Sequence, residues 1–277
     1  MSIQLTLPDG SVHEYPVGTT GLDVAAEIGP GLAKAAVAVA IDGVERDLTR
    51  PIETGGAFTV ITDSTVAGRA VLRHSSAHVM AQAVLDLYPG AKFAIGPSIV
   101  DGFYYDFEIG RPFTPEDLEA IEARMNEIIA ADQPFVRDEL SIEEGLAEFS
   151  DQPFKIEIIE TVDEDEGAAG GAVSVYRNDG FVDLCRGPHV PSTGRLRAVK
   201  LLRSSGAYWR GDEHLAQLQR IYGTAWESKK SLQAYLDRLD EAEKRDHRRL
   251  GRELDLYSFP PELGSGLAIW HPRGGIL

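Results

Sequence analysis

One cysteine, Cys185, stands in 277 residues, so no disulfide can form within the chain, as suits a reducing compartment. No apolar run is long enough to span a bilayer. Residues 1–10 have neither a basic segment nor a long apolar stretch, so they are not expected to be a secretory signal peptide. A cytoplasmic protein is the expectation. No Walker-type or dinucleotide fingerprint is present, so no nucleotide-cofactor loop is expected here. Gly29-Pro30-Gly31 and Gly187-Pro188 read as turn punctuation rather than phosphate loops. There are no internal repeats or low-complexity tracts. Positive charge is scarce, 27 Lys+Arg against 44 Asp+Glu for a net −17, which at first argues against a nucleic-acid partner.

The charge is unevenly spread. Residues 1–184 hold 11 Lys+Arg against 33 Asp+Glu, whereas residues 185–252 hold 15 against 8. An acidic body joined to a basic segment can still present a basic surface to a phosphate backbone, although the same residues would also solvate a long helix. The 43% apolar and 26% charged composition is that of a globular chain, and the length suits about two domains.

The first 62 residues read as a small β-rich unit. Ile3 to Leu7 and Ser11 to Pro16 form a hairpin about Pro8-Asp9-Gly10. Thr19 or Thr20 caps a helix over Gly21 to Ile28, and strands follow at Ala36 to Ile41 and Phe58 to Ile61. This is a β-grasp, ubiquitin-like order. Beyond Asp63 the pattern predicts a helix over Ala70 to Tyr88, a strand-rich stretch around Gly102 to Asp106, and a helix over Pro115 to Ala131 capped by Thr114. Glu160 to Gly171 reads as a mobile surface loop. Val173 to Tyr176 and Phe181 to Leu184 make a hairpin. Leucines 232, 236, 239, 250 and 254 form a helical stripe over Glu227 to Tyr257, ended by Pro260-Pro261. The final apolar residues look like the opening of a further domain.

Two matched doublets carry the chemistry. His74 and His78 stand four apart on the predicted helix, hence on one face. Cys185 and His189 stand four apart just after the predicted hairpin. Four readings compete. The four side chains suit a tetrahedral zinc site. Without metal, the histidines suit water activation near neutral pH, with Cys185 lining the pocket. They could be satisfied core residues without a role. Finally, Arg186 and His189 could activate Cys185 as a nucleophile, which would leave the other two histidines unexplained. Downstream, Tyr208, Trp209, Tyr222 and Trp226 interleave with Arg203, Arg210 and Arg220. Such a pattern can clamp a single-stranded RNA end, or form a core with a basic rim.

Longer stretches resemble the N-terminal half of bacterial threonyl-tRNA synthetases. They are Ile28 to Ala35, Ala94 to Pro97 with Gly102 to Asp106, Asp183 to Pro191, Ser205 to Asp212, Gln219 to Trp226 and Lys244 to Arg248. The resemblance implies an α+β fold: a ubiquitin-like TGS domain at 1–62 and an editing domain at 63–225. A linker helix at 226–258 and the start of a class II catalytic domain at 259–277 would follow. It implies hydrolysis of seryl-tRNA(Thr), with threonyl-tRNA(Thr) spared. His74 would activate the water, directly or through the terminal ribose. His78 and His189 would hold the water and the terminal adenosine, and Cys185 would line the pocket. Lys155 would offset charge on the ester carbonyl, and Asp183 would bind the α-ammonium or orient Lys155. Tyr104, Arg186, Tyr208 and Arg210 are the expected tRNA contacts. Threonyl enzymes are expected to edit without metal, although related alanyl-type domains with the same doublets hold zinc. ATP, magnesium and a catalytic-domain zinc would belong to downstream parts of a longer enzyme, which is expected to be a homodimer; this chain alone is expected to be a monomer. The rivals are a free-standing zinc hydrolase and a non-catalytic tRNA-binding module.

Overall fold

The computed structural model describes residues 1–161, 168–169, 171–260, 262, 264 and 266–276. They form two compact units, Met1–Lys229 and Lys230–Leu277.

The first unit begins with β1 (Ser2–Thr6) and β2 (Val12–Pro16), then α1 (Gly21–Ile28), α2 (Pro30–Ala35), β3 (Ala36–Ile41), β4 (Val44–Asp47) and β5 (Gly56–Thr62). The sheet order is β2-β1-β5-β3-β4, with β1 and β5 parallel and the other neighbours antiparallel. This is the expected β-grasp. Thr20 caps α1 through a reciprocal box with Asp23. Gly29-Pro30-Gly31 does more than close α1. Gly29 ends it, and Pro30 opens α2 from the first helical position, where its missing N–H costs nothing. A core around Leu5, Val24, Val39, Leu48, Ile52 and Phe58 holds this layer together.

Next come α3 (Val66–Leu87), β6 (Lys92–Phe93), β7 (Ser98–Ile99), β8 (Gly102–Glu108) and α4 (Pro115–Ala130). They are followed by β9 (Val136–Ser141), α5 (Ile142–Glu148), α6 (Pro153–Glu160), β10 (Ala168–Ala169), β11 (Ala172–Asn178) and β12 (Phe181–Leu184). The unit ends with β13 (Ala198–Tyr208) and β14 (Gln217–Trp226). One sheet runs β13-β14-β8-β6, with β7 also on β8. The other runs β10-β11-β12, with β9 also on β11. Most of the Glu160–Gly171 stretch expected as a loop lies outside the described residues; its described part includes β10.

Helix α3 organises this region. Thr65 caps it by accepting from the Gly68 N–H, and from Val71 to Val84 every residue but His74 is buried. A helix covered on all sides needs no amphipathic stripe, and its many Ala, Ser and Gly residues let neighbours approach closely. The β-grasp layer is not separate from it. Val37, Ala38 and Ile61 join the same apolar cluster as Val71, Leu72 and Met80.

In the second unit the expected continuous helix is two, α7 (Lys229–Lys244) and α8 (His247–Glu253). The Asp246 side chain accepts from the Arg248 N–H and starts a new helix there. The helical region ends at Glu253, ahead of Pro260, with Asp255 at a left-handed φ of 55°. β15 (Tyr257–Ser258) and β16 (Ile269–Trp270) then pair antiparallel.

Candidate active site

The helix and the hairpin deliver the two doublets to one place. His74 Nε2 lies 3.2 Å from Cys185 Sγ, and His189 Nε2 lies 3.4 Å from it. The ring centroids of His74, His78 and His189 are 4.2–5.2 Å apart. Beside them Lys155 Nζ sits 2.6 Å from Asp183 Oδ1 and donates to the Tyr105 hydroxyl at 3.1 Å. Tyr105 in turn donates to Asp183 Oδ2 at 2.6 Å. His78 Nε2 stands 3.4 Å from that same oxygen. Lys155 and Asp183 are each 1% exposed, so this is a charge pair held away from water.

These groups line a polar cavity of about 190 Å³, whose walls include His74, His78, Tyr105, Lys155, Asp183, Cys185 and Arg186. The segment Gly96-Pro97-Ser98 closes one side. His189 is not on the wall. It lies 1% exposed behind it, stacked on Phe135 with centroids 4.8 Å apart, and its Nδ1 is 3.0 Å from Ser75 Oγ. The loop from Cys185 to His189 passes close over Tyr176. A Cβ at Gly187 would come within 2.0 Å of the Tyr176 hydroxyl, and Gly187 also has a left-handed φ of 77°, so two constraints select glycine.

Burial dominates the protonation of the cluster. It lowers His74 and His78 to about 3, assisted by the neighbouring His78 for His74 and by Lys155 for His78. It also drives His189 well below the ordinary imidazole range, helped by the other two histidines. All three are therefore neutral at pH 7, the form that can accept a proton. A pH dependence of stability follows. In the unfolded chain His74 and His78 protonate near 6.5, while the fold resists their protonation to about 3, and His189 shifts in the same direction. The unfolded state binds more protons in that window, so stability is full above about pH 6.5 and declines as pH falls toward 3. Urea unfolding midpoints should drop progressively on going from about pH 6.5 to about 4. A flat series would mean the imidazoles protonate as easily folded as unfolded.

Zinc suits the donor set. The four candidate ligand atoms lie within 4.8 Å of one another. Tetrahedral zinc would separate nitrogen and sulfur ligands by about 3.6 Å, near the two distances from Cys185. His78 Nδ1 is buried without a hydrogen-bond partner among the described residues.

The structure brings His74, His78, Lys155, Asp183, Cys185 and His189 together, with Arg186 on the cavity wall. It does not bring Tyr104, Tyr208 or Arg210 there. Tyr104 packs beneath the Arg220 guanidinium at 3.8 Å, with Tyr222 beside it. Tyr208 ends β13, 44% exposed. Arg210 pairs with Glu157 at 2.9 Å. Tyr105, next to Tyr104, faces the cavity because successive strand residues point to opposite faces. The alternation of Phe103, Tyr105 and Phe107 against Tyr104, Asp106 and Glu108 was the available signal. Trp209 and Trp226 are core: Trp209 packs on Phe154, and Trp226 lies under Arg69 and Arg73.

Comparison with known proteins agrees with this architecture. The model for the TGS domain matches residues 3–62, and that for the "Threonyl and Alanyl tRNA synthetase second additional domain" matches residues 173–222. The threonine–tRNA ligase of Pelobacter propionicus is 54% identical over 278 residues, covering 100% of this chain and 43% of the relative. That of Geobacter sp. strain M21 is 51% identical over 277 residues, covering 99% and 43%. That of Nitrosococcus oceani is 53% identical over 272 residues, covering 98% and 42%. The chain thus spans less than half the length of the curated relatives it matches. It groups with the N-terminal region of threonyl-tRNA synthetases, a TGS domain followed by the editing domain that threonyl- and alanyl-tRNA synthetases share.

Proposed function

We propose that this chain hydrolyses seryl-tRNA(Thr) and spares threonyl-tRNA(Thr). The observation that carries the reading is a small polar cavity where the neutral imidazole of His74 and the buried ammonium of Lys155 face the same space. As a water oxygen adds to the ester carbonyl carbon, His74 accepts the water's proton. Lys155, held by Asp183 and Tyr105, offsets the charge that develops on the carbonyl oxygen. Collapse breaks the bond to the ribose oxygen, which takes the proton back, releasing serine and tRNA with its terminal hydroxyl restored. Both Asp183 oxygens are engaged by Lys155 and Tyr105, which favours the orienting role over capture of the α-ammonium. His78 and Cys185 shape the water site, His189 supports them from behind, and Arg186 meets the incoming tRNA end.

Editing answers a physical problem. Serine and threonine share a hydroxyl and differ by one methyl, worth about 1–3 kcal/mol in a pocket, and a site sized for threonine cannot exclude serine. A second pocket too tight for that methyl can.

Zinc is the second reading, favoured by the donor geometry. His74, His78, Cys185 and His189 would hold it. Bound by all four the ion is structural, and only an open coordination position would let it acidify a water.

For the whole protein we propose ATP- and magnesium-dependent joining of threonine to tRNA(Thr), a catalytic-domain zinc, a homodimer and a cytoplasmic location. For this chain we propose a monomer, divided at 1–62, 63–225, 226–258 and 259–277. No described helix is long and apolar enough to cross a membrane.

The test is deacylation of seryl-tRNA(Thr) beside threonyl-tRNA(Thr), with and without chelator. Serine release that spares threonine and survives chelation is expected. Loss on chelation would favour the zinc hydrolase. tRNA binding without release from either substrate would leave a binding module.

A further inference from the structure

Asp47 belongs to the β-grasp domain, at the end of β4, yet its side chain works inside the other domain. Oδ1 accepts the main-chain N–H of His189 at 2.8 Å, and Oδ2 accepts the Tyr176 hydroxyl at 2.7 Å. Asp47 is 9% exposed. Its two partners grip the Cys185–His189 loop at different points. His189 is the loop's last residue, whereas Tyr176 lies beneath Gly187, with its hydroxyl 3.5 Å from the Arg186 carbonyl. Tyr176 also packs edge-on against the His189 ring, with centroids 4.5 Å apart. The loop residues Cys185, Arg186 and Gly187, which run up to and through the Tyr176 grip, line the cavity.

We propose that Asp47 is a positioning residue for the editing site, through which the TGS domain sets the Cys185–His189 loop against His74. The proposal rests on the deacylase reading. One carboxylate supplies two charge-assisted acceptors to groups on separate segments, so it holds both in fixed register. Burial pushes the Asp47 carboxyl up, and the His189 N–H and Tyr176 hydroxyl oppose that shift. A carboxylate that merely stapled two domains would not need to end on the loop that carries a candidate active-site thiol.

The experiment compares Asp47→Ala, Asp47→Asn and Tyr176→Phe with Arg195→Ala in the full 277-residue chain. Arg195 provides a control contact between the same two domains, donating to the Lys34 carbonyl at 2.6 Å, and does not line the cavity. Two readouts are taken: single-turnover serine release against enzyme concentration, and ¹H–¹⁵N spectra of the histidine ring nitrogens. Asp47→Ala should lower the maximal rate roughly ten- to hundredfold with half-saturation unchanged, as expected for a catalytic group displaced by about an ångström. Asp47→Asn, which keeps one acceptor, and Tyr176→Phe should lose less. The His189 ring signals should move in Asp47→Ala and stay in place in Arg195→Ala. Equal rate losses in Asp47→Ala and Arg195→Ala would overturn the proposal, as would unmoved His189 signals in Asp47→Ala. If the wild-type chain releases no serine, the deacylase reading falls, and the ring spectra still decide whether Asp47 positions His189.

Discussion

Alanine in place of His74 is expected to reduce serine release by roughly 10²–10⁴-fold, the contribution typical of one general base. His74 stands on the cavity wall with its Nε2 3.2 Å from Cys185 Sγ, and it is the one residue between Val71 and Val84 that is only partly buried, its remaining exposure being toward the cavity. Truncating it opens space toward the cavity rather than a void in packed core, so the fold should tolerate the change. His189→Ala provides the contrast. That ring is 1% exposed and stacked on Phe135, so its loss should lower the melting temperature as well as the rate. Rates measured beside thermal unfolding separate the two. A His74→Ala enzyme within about tenfold of wild type would exclude His74 as the base.

The largest stability effect is expected at Asp183. Replacing it by alanine leaves the Lys155 ammonium, 1% exposed, with the Tyr105 hydroxyl as its remaining polar partner among the contacts described above. Breaking a buried pair from one side costs about 3–5 kcal/mol, because the surviving charge stays buried without compensation. Removing both charges together, as in Lys155→Met with Asp183→Leu, should restore much of that loss, since two buried ions are then exchanged for apolar contact. Activity should be absent from both variants. Urea unfolding of the single and double variants checks this. A double variant no more stable than Asp183→Ala would mean that the polar groups around the pair, Tyr105 and His78, cannot accept an apolar neighbour.

The site was only partly readable along the chain. The doublets identified themselves, because a spacing of four on a helix puts both histidines on one face, and the second doublet repeats that spacing directly after the predicted hairpin. Tyr105 was hidden by a neighbour of the same type. Tyr104 and Tyr105 differ only in which face of β8 they occupy, and both faces are partly covered, one by the cavity and the other by Arg220 and Tyr222. Likewise the leucine stripe over 227–257 suggests one helix, and the break at Asp246 reflects a side chain competing for a main-chain N–H.

By itself the sequence determined the β-grasp order, a cap at Thr19 or Thr20 that the structure assigns to Thr20, the cap at Thr114, the span of α1, and the spacing that pairs His74 with His78 and Cys185 with His189. These depend on neighbours a few residues apart, where periodicity and capping chemistry act. Only the tertiary structure decided that His189 lies behind the wall, that Lys155 and Asp183 meet beneath Tyr105, and that Asp47 reaches the loop from the other domain. Those contacts join residues separated by 28 to 142 positions. They arise from the packing of α3, β8 and the β11–β12 hairpin into one shared core, and no local pattern encodes which polar groups such packing will force to find each other.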